Sequence, residues 1–190
     1  MISVKSKETP NLLKHTRCYL LGGMQYVKDG KTWRVKVKDA LKDRNITFFD
    51  PYFKPFIHDI PEDDCSRNEM LHWIETEQYD LVTQRMKMVR GYDLRLVDLS
   101  DWFICNINPN VASWGTAEEL SVIVREQKPV FIVIDSPKGK KDVPLWILSM
   151  VQHKYIYDTL DEAINTIKAI DDGIVKMSSD KWRLLLPELR

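Results

Sequence analysis

The sequence predicts a doubly wound α/β domain, a parallel sheet of about five strands flanked by helices, and three observations carry that reading. Short apolar runs alternate with stretches of helical periodicity between residues 17 and 170. Two of the runs, Trp102-Phe-Ile-Cys-Asn-Ile107 and Pro129-Val-Phe-Ile-Val-Ile134, are apolar on both faces, as strands covered by helices on either side must be. The composition is that of a folded domain, 44% hydrophobic and 29% charged with seven Gly and nine Pro in 190 residues. A chain of this size hides roughly 70% of the surface it exposes when unfolded, enough for a core without disulfide staples.

The elements follow in order. Residues 1–16 are polar, include Pro10 and read as a loose leader. Arg17-Cys-Tyr-Leu-Leu-Gly22 is an apolar run stopped by Gly22-Gly23, a buried strand ending in a tight loop. Trp33, Val37, Ala40 and Leu41 fall at i, i+4, i+7 and i+8, which predicts a helix. Ile46-Thr-Phe-Phe49 is a second strand closed by Asp50-Pro51. Residues 50–75, with Pro51, Pro55 and Pro61 and several acids, match no regular period and read as a loop excursion over one end of the sheet. Leu81, Arg85, Met88, Val89, Tyr92 and Leu96 predict a helix running to about Asp98. The strand at 102–107, a helix at 116–126, the strand at 129–134, a short helix at 144–152, a strand at 155–157 and a helix at 160–170 complete a flavodoxin- or Rossmann-like domain over 17–172. The tail at 173–190, with Trp182 and Leu184 to Leu186, is apolar enough to dock on its own domain or on a neighbour.

The 28 Lys and Arg balance the 28 Asp and Glu, so no long-range field favours a nucleic acid polymer or an anionic membrane as partner. Cys18, Cys65 and Cys105 form no C-x-x-C pair, which points to a reduced, cytoplasmic protein. No stretch has signal-peptide character or approaches the roughly 18 apolar residues of a membrane helix. His15, His58, His72 and His153 show no ligand spacing, so neither a metal nor another cofactor is expected. The chain carries neither G-x-G-x-x-G nor a P-loop.

Ligands of open parallel sheets bind beyond the carboxyl ends of the strands, which directs attention to the loops after Leu21, Phe49, Ile107 and Ile134. Tyr19-Leu-Leu-Gly-Gly23 brings an aromatic hydroxyl beside two glycines that let a ligand approach the backbone. The loop after Ile107 leads through Asn108, Asn110 and Ser113 to Gly115-Thr116-Ala-Glu-Glu119. There Thr116 and Glu119 fit the capping box T-x-x-E, in which the carboxylate only satisfies backbone donors; the same carboxylate at a helix start also suits chemistry. Asp93, Asp98 and Asp101 lie between the long helix and the central strand. Asp93 and Glu119 flank that strand and reach one pocket if the Asp93 segment folds back. Two carboxylates in different environments can divide into nucleophile and proton donor.

Tyr19-Leu-Leu-Gly-Gly, Asp50-Pro51, Tyr92-Asp-Leu-Arg-Leu-Val-Asp-Leu-Ser-Asp101 and Ser113-Trp-Gly-Thr-Ala-Glu-Glu-Leu120 together resemble the nucleoside 2-deoxyribosyltransferases, in particular a branch common in bacteriophage genomes. The resemblance spans about residues 17 to 170. It implies Glu119 as nucleophile, Asp93 as the acid assisting departure of the base, and Tyr19 as the residue orienting Glu119. It further implies substrate contacts from Gly22, Gly23 and Met24 on the base side, and from Asp50, Asn108, Ser113, Gly115 and Thr116. Free-nucleoside transferases carry an acid six positions before the nucleophile, where this chain has Ser113. The related deoxynucleoside 5'-monophosphate N-glycosidases have serine there and use it for the phosphate, so Ser113 tilts the expected substrate toward a nucleotide; a turn serine bonding its own backbone is the other reading. The implied partners are a nucleoside or nucleotide, a free nucleobase and a second copy of the chain in a dimer or larger homo-oligomer. A hydrolase and a non-catalytic nucleotide binder remain alternatives.

Overall fold

Side chains alternate across a strand, so β1 (Arg17–Gly22), five of whose six residues are buried, must be covered on both faces. The structure, a computed structural model, describes residues 10–24, 30–53 and 62–175. With β1, the strands β2 (Thr47–Phe49), β3 (Trp102–Ile107), β4 (Val130–Ile134) and β5 (Ile156–Tyr157) form one parallel sheet in the order β2-β1-β3-β4-β5. The helices are α1 (Thr32–Ala40), α2 (Asp64–Glu75), α3 (Tyr79–Leu99), α4 (Trp114–Arg125), α5 (Leu145–Met150) and α6 (Leu160–Asp171). This is the expected flavodoxin/Rossmann-like arrangement.

Parity along the strands builds two cores. Cys18 and Leu20 of β1 join Trp102 and Ile104 of β3 and Phe131 and Val133 of β4 beneath α1 and α6, where Val37, Ile164 and Ile167 pack. Tyr19 and Leu21 point the other way, with Phe103, Cys105 and Ile132, beneath Leu96 and Val97 of α3 and Leu120 and Ile123 of α4. The Tyr19 and Phe103 rings meet edge to face at 6.3 Å. The chain leaves β1 for β2 on one side and returns to β3 on the other, which opens a crevice where β1 and β3 end.

Three expectations are corrected. Residues 64–75 are helical, not part of a loop: Asp63 caps α2 by accepting from Ser66 N at 2.8 Å. The leader is docked from residue 10 onward: Leu13 is fully buried, and its N–H donates to Asp171 Oδ1 at 2.7 Å. Leu13 joins the core cluster beneath α1 and α6, a burial that its polar neighbours concealed in the sequence. The helix expected from residue 116 begins at Trp114, with Ser113 as its N-cap position. Pro55, His58, Pro61, Trp182 and Leu184 to Leu186 lie outside the described residues.

Candidate active site

Tyr19 sits on the α3/α4 side of β1, and Gly22 ends the strand against β3. A Cβ on Gly22 would lie 2.8 Å from the Asn106 carbonyl oxygen and 3.2 Å from the Trp33 ring, so only glycine lets the two strand ends close. Next along the sheet, α4 carries Glu119 inward. Starting the helix at Trp114 puts Glu119 in its second turn, too far along for a capping box. Its side chain instead receives a hydrogen bond from Tyr19, Oη to Oε1 at 2.8 Å. Neighbouring Glu118 makes an ion pair with Arg90, and both side chains line the same cleft as Glu119.

Tyr19 and Glu119 line a cleft of about 700 Å³. Asp93 lines it too, and needs no folded-back loop: it lies within α3 on the same helix face as Val89 and Met86, one and two turns earlier. Gly22, Met24, Ser113, Gly115 and Thr116 also line the cleft. Gly23 and Asn108 border a smaller side pocket of about 120 Å³, which shares Ser113 and Thr116 with the cleft.

Asp50 is corrected: it lines neither cavity among the described residues. Its buried carboxylate meets Lys38 at 2.7 Å and Arg34 at 3.6 Å. Arg34, buried in α1, donates from Nε to Leu20 O at 3.2 Å, from Nη2 to Gly22 O at 3.0 Å and from Nη1 to Gly30 O, tying together the ends of the segment after β1. Asp50 is therefore the counter-ion of a structural arginine. Asp98 and Asp101 face Arg95 and Arg17, away from the cleft.

The sequence reading missed Glu62, which lines the cleft just before α2, and Trp114, 85% exposed on its rim. Burial pushes Glu119 up to about 8; the charges of Asp93 and Glu62 add to the rise, while the Tyr19 hydrogen bond and Arg34 oppose it. Burial, followed by the charges of Glu119 and Asp93, drives Tyr19 well above its usual range, so it stays a donor. The carboxylates therefore hold a proton at neutral pH that isolated acids would have lost. Among the described residues, no group of three or more His, Cys, Asp or Glu is placed to hold a metal ion.

Fold and site define an α/β domain with an acidic, tyrosine-supported cleft at the switch point of its sheet. No family model matches the sequence, and no curated protein matches it.

Proposed function

We propose that the protein cleaves the N-glycosidic bond of a (2'-deoxy)nucleoside or nucleotide through a covalent glycosyl ester on Glu119, and transfers the sugar to another base. The observation that carries this reading is the 2.8 Å Tyr19–Glu119 hydrogen bond at the wall of a cleft that also contains Asp93. A carboxylate needs an adjacent donor to fix its attacking oxygen, and the leaving base needs a proton.

One proton shared by the carboxylates supplies both requirements when Glu119 is ionised and Asp93 is neutral. The Glu119 oxygen attacks C1', the C1'–N bond breaks with its electron pair on the base, and the Asp93 proton passes to that base. A second base then attacks C1', displaces Glu119 and returns a proton to Asp93. Met86, Val89 and Trp114 offer apolar and aromatic walls to a flat heterocycle. If water replaces the second base, the same steps give hydrolysis. Self-association into a homo-oligomer belongs to the same reading: Leu145 and Trp146 stand exposed on α5, a surface a second copy can cover.

Incubation with a panel of deoxynucleosides and their monophosphates tests the proposal through the appearance of free base. Glu119→Gln should lower that release at least about a thousandfold, while a second free base added to the wild type should be converted into a new nucleoside. Base release unaffected by Glu119→Gln removes the reading, and conversion to free sugar alone favours the hydrolase.

A further inference from the structure

A parallel strand turns successive carbonyls to alternate edges. At the start of β1, Thr16 O accepts from Thr47 N at 2.9 Å on the β2 side, and Arg17 O accepts from Asp101 N at 2.8 Å on the β3 side. Leu20 O and Gly22 O share the parity of Thr16 and face the β2 edge. Carried forward in the same register, the donor for Leu20 O would be residue 51, which is Pro51 and has no N–H. β2 stops at Phe49, and the buried guanidinium of Arg34 takes over its role: Nε donates to Leu20 O at 3.2 Å and Nη2 to Gly22 O at 3.0 Å, while Nη1 reaches Gly30 O.

A neutral amide could also supply donors to such carbonyls; Arg34 adds a charge. Its side chain is 1% exposed, with the Trp33 and Tyr52 ring centres 4.5 and 5.2 Å away. Asp50 faces both Arg34 and Lys38, so two cations share one carboxylate and the cluster keeps one positive charge at the edge of the strand that carries Tyr19. Around Glu119 stand Tyr19 on β1, Cys105 on β3, Asp93 and Arg90 on α3, Glu118 on α4 itself and Glu62 before α2. Arg90 is matched by Glu118, and Arg67 of α2 is turned to Met24 O at 3.0 Å. Burial works against the Arg34 cation; Asp50 is its largest support and Glu119 is among the others, just as Arg34 supports the Glu119 anion.

We infer that Arg34 is a positioning residue for the proposed glycosyl transfer: it closes the open edge of β1 that leads into Gly22 and Met24, and the net positive charge it forms with Lys38 and Asp50 favours the anion on Glu119, leaving the proton to Asp93. The inference rests on that reaction and adds a reason why Glu119, rather than Asp93, is the attacking carboxylate. Arg34 itself touches neither cavity among the described residues.

The test is a carbon-13 NMR titration of the Glu119 carboxyl in glutamate-labelled protein, assigned through Glu119→Gln, beside pH profiles of kcat/KM for base release from a deoxynucleoside. Arg34→Gln, which keeps a donor but loses the charge, should raise the Glu119 midpoint and the falling limb of the profile by at least about half a pH unit. Arg34→Lys should return both to within about 0.2 of the wild type, even where the altered hydrogen bonds cost rate. Asp50→Asn removes the opposing anion and should move both to lower pH. Loosened packing does not produce opposite movements at one carboxyl, so a midpoint unmoved in Arg34→Gln, or moved upward in Asp50→Asn, overturns the inference. If Arg34→Gln does not fold, Lys38→Met removes one unit of charge from a partly exposed site and leaves the carbonyl bonds in place; it should raise the midpoint, and no movement overturns the inference. Base release with unmoved midpoints sinks the inference alone, whereas midpoints that move as expected in a protein that releases no base sink glycosyl transfer and leave the charge placement standing.

Discussion

Glu119 is a carboxyl group held where water cannot solvate it, 9% exposed and facing other acids across a cleft. Its neighbours pull in opposite directions: Asp93 and Glu62 favour the proton, Tyr19 and Arg34 the anion. In the proposed glycosyl transfer the proton lost near pH 8 is the one passed to the departing base, so kcat/KM for base release should fall as pH rises through about 8. Tyr19→Phe removes an interaction that stabilises the anion. It should move this falling limb to higher pH and cost about tenfold or more in rate. A rate loss with an unmoved limb would give Tyr19 a packing role only. At this scale the three residues that meet at the cleft were legible, because Tyr19, Asp93 and Glu119 stand in a recognisable order with characteristic neighbours. Asp50 was not, since an Asp-Pro pair looks alike whether it faces a ligand or a buried arginine. Its partner Arg34 lies on a helix whose sequence gives no sign that a cation is enclosed.

At the level of elements, the strand ends and helix starts do the positioning. Gly22 lets β1 press against β3, and Arg34 grips the carbonyls of Gly22 and Gly30 around the segment between them. A methyl group at Gly22 meets backbone, which cannot swing aside. Gly22→Ala should therefore destabilise the fold by about 1–3 kcal/mol in urea unfolding, with an unchanged m value. Full stability would mean that the strand ends are looser than described. The strands and long helices could be read because their apolar periods are long and unbroken. α2 could not, because its apolar residues are sparse and the prolines just before it suggest a loop; the information lay in Asp63, a cap recognisable only once the helix beneath it is known. The start of α4 was misplaced for a related reason. Thr116 and Glu119 imitate a capping box, and only tertiary structure, through Tyr19, draws the carboxylate inward.

Across the whole molecule, topology makes the site. Placing β1 beside β3 brings Tyr19, Asn106 and the amino end of α4 to one edge of the sheet, and the opposite core under α1 and α6 anchors that edge. Alternation of strands and helices in the sequence predicts the sheet, but not that α3 projects Asp93 straight into the crevice, because helix rotation is set by packing of Leu96 and Val97 against the strands. Among the described residues, no helix is long and apolar enough to cross a membrane. The central claim concerns one bond, between the Glu119 carboxylate and the anomeric carbon of a sugar. Rapid quenching of a turnover mixture with a deoxynucleoside, followed by peptide mass spectrometry, tests it most directly. A deoxyribosyl ester on the peptide containing Glu119, absent from Glu119→Gln, is the predicted result; free base accumulating with the sugar on another residue, or at an undiminished rate in Glu119→Gln, would contradict it.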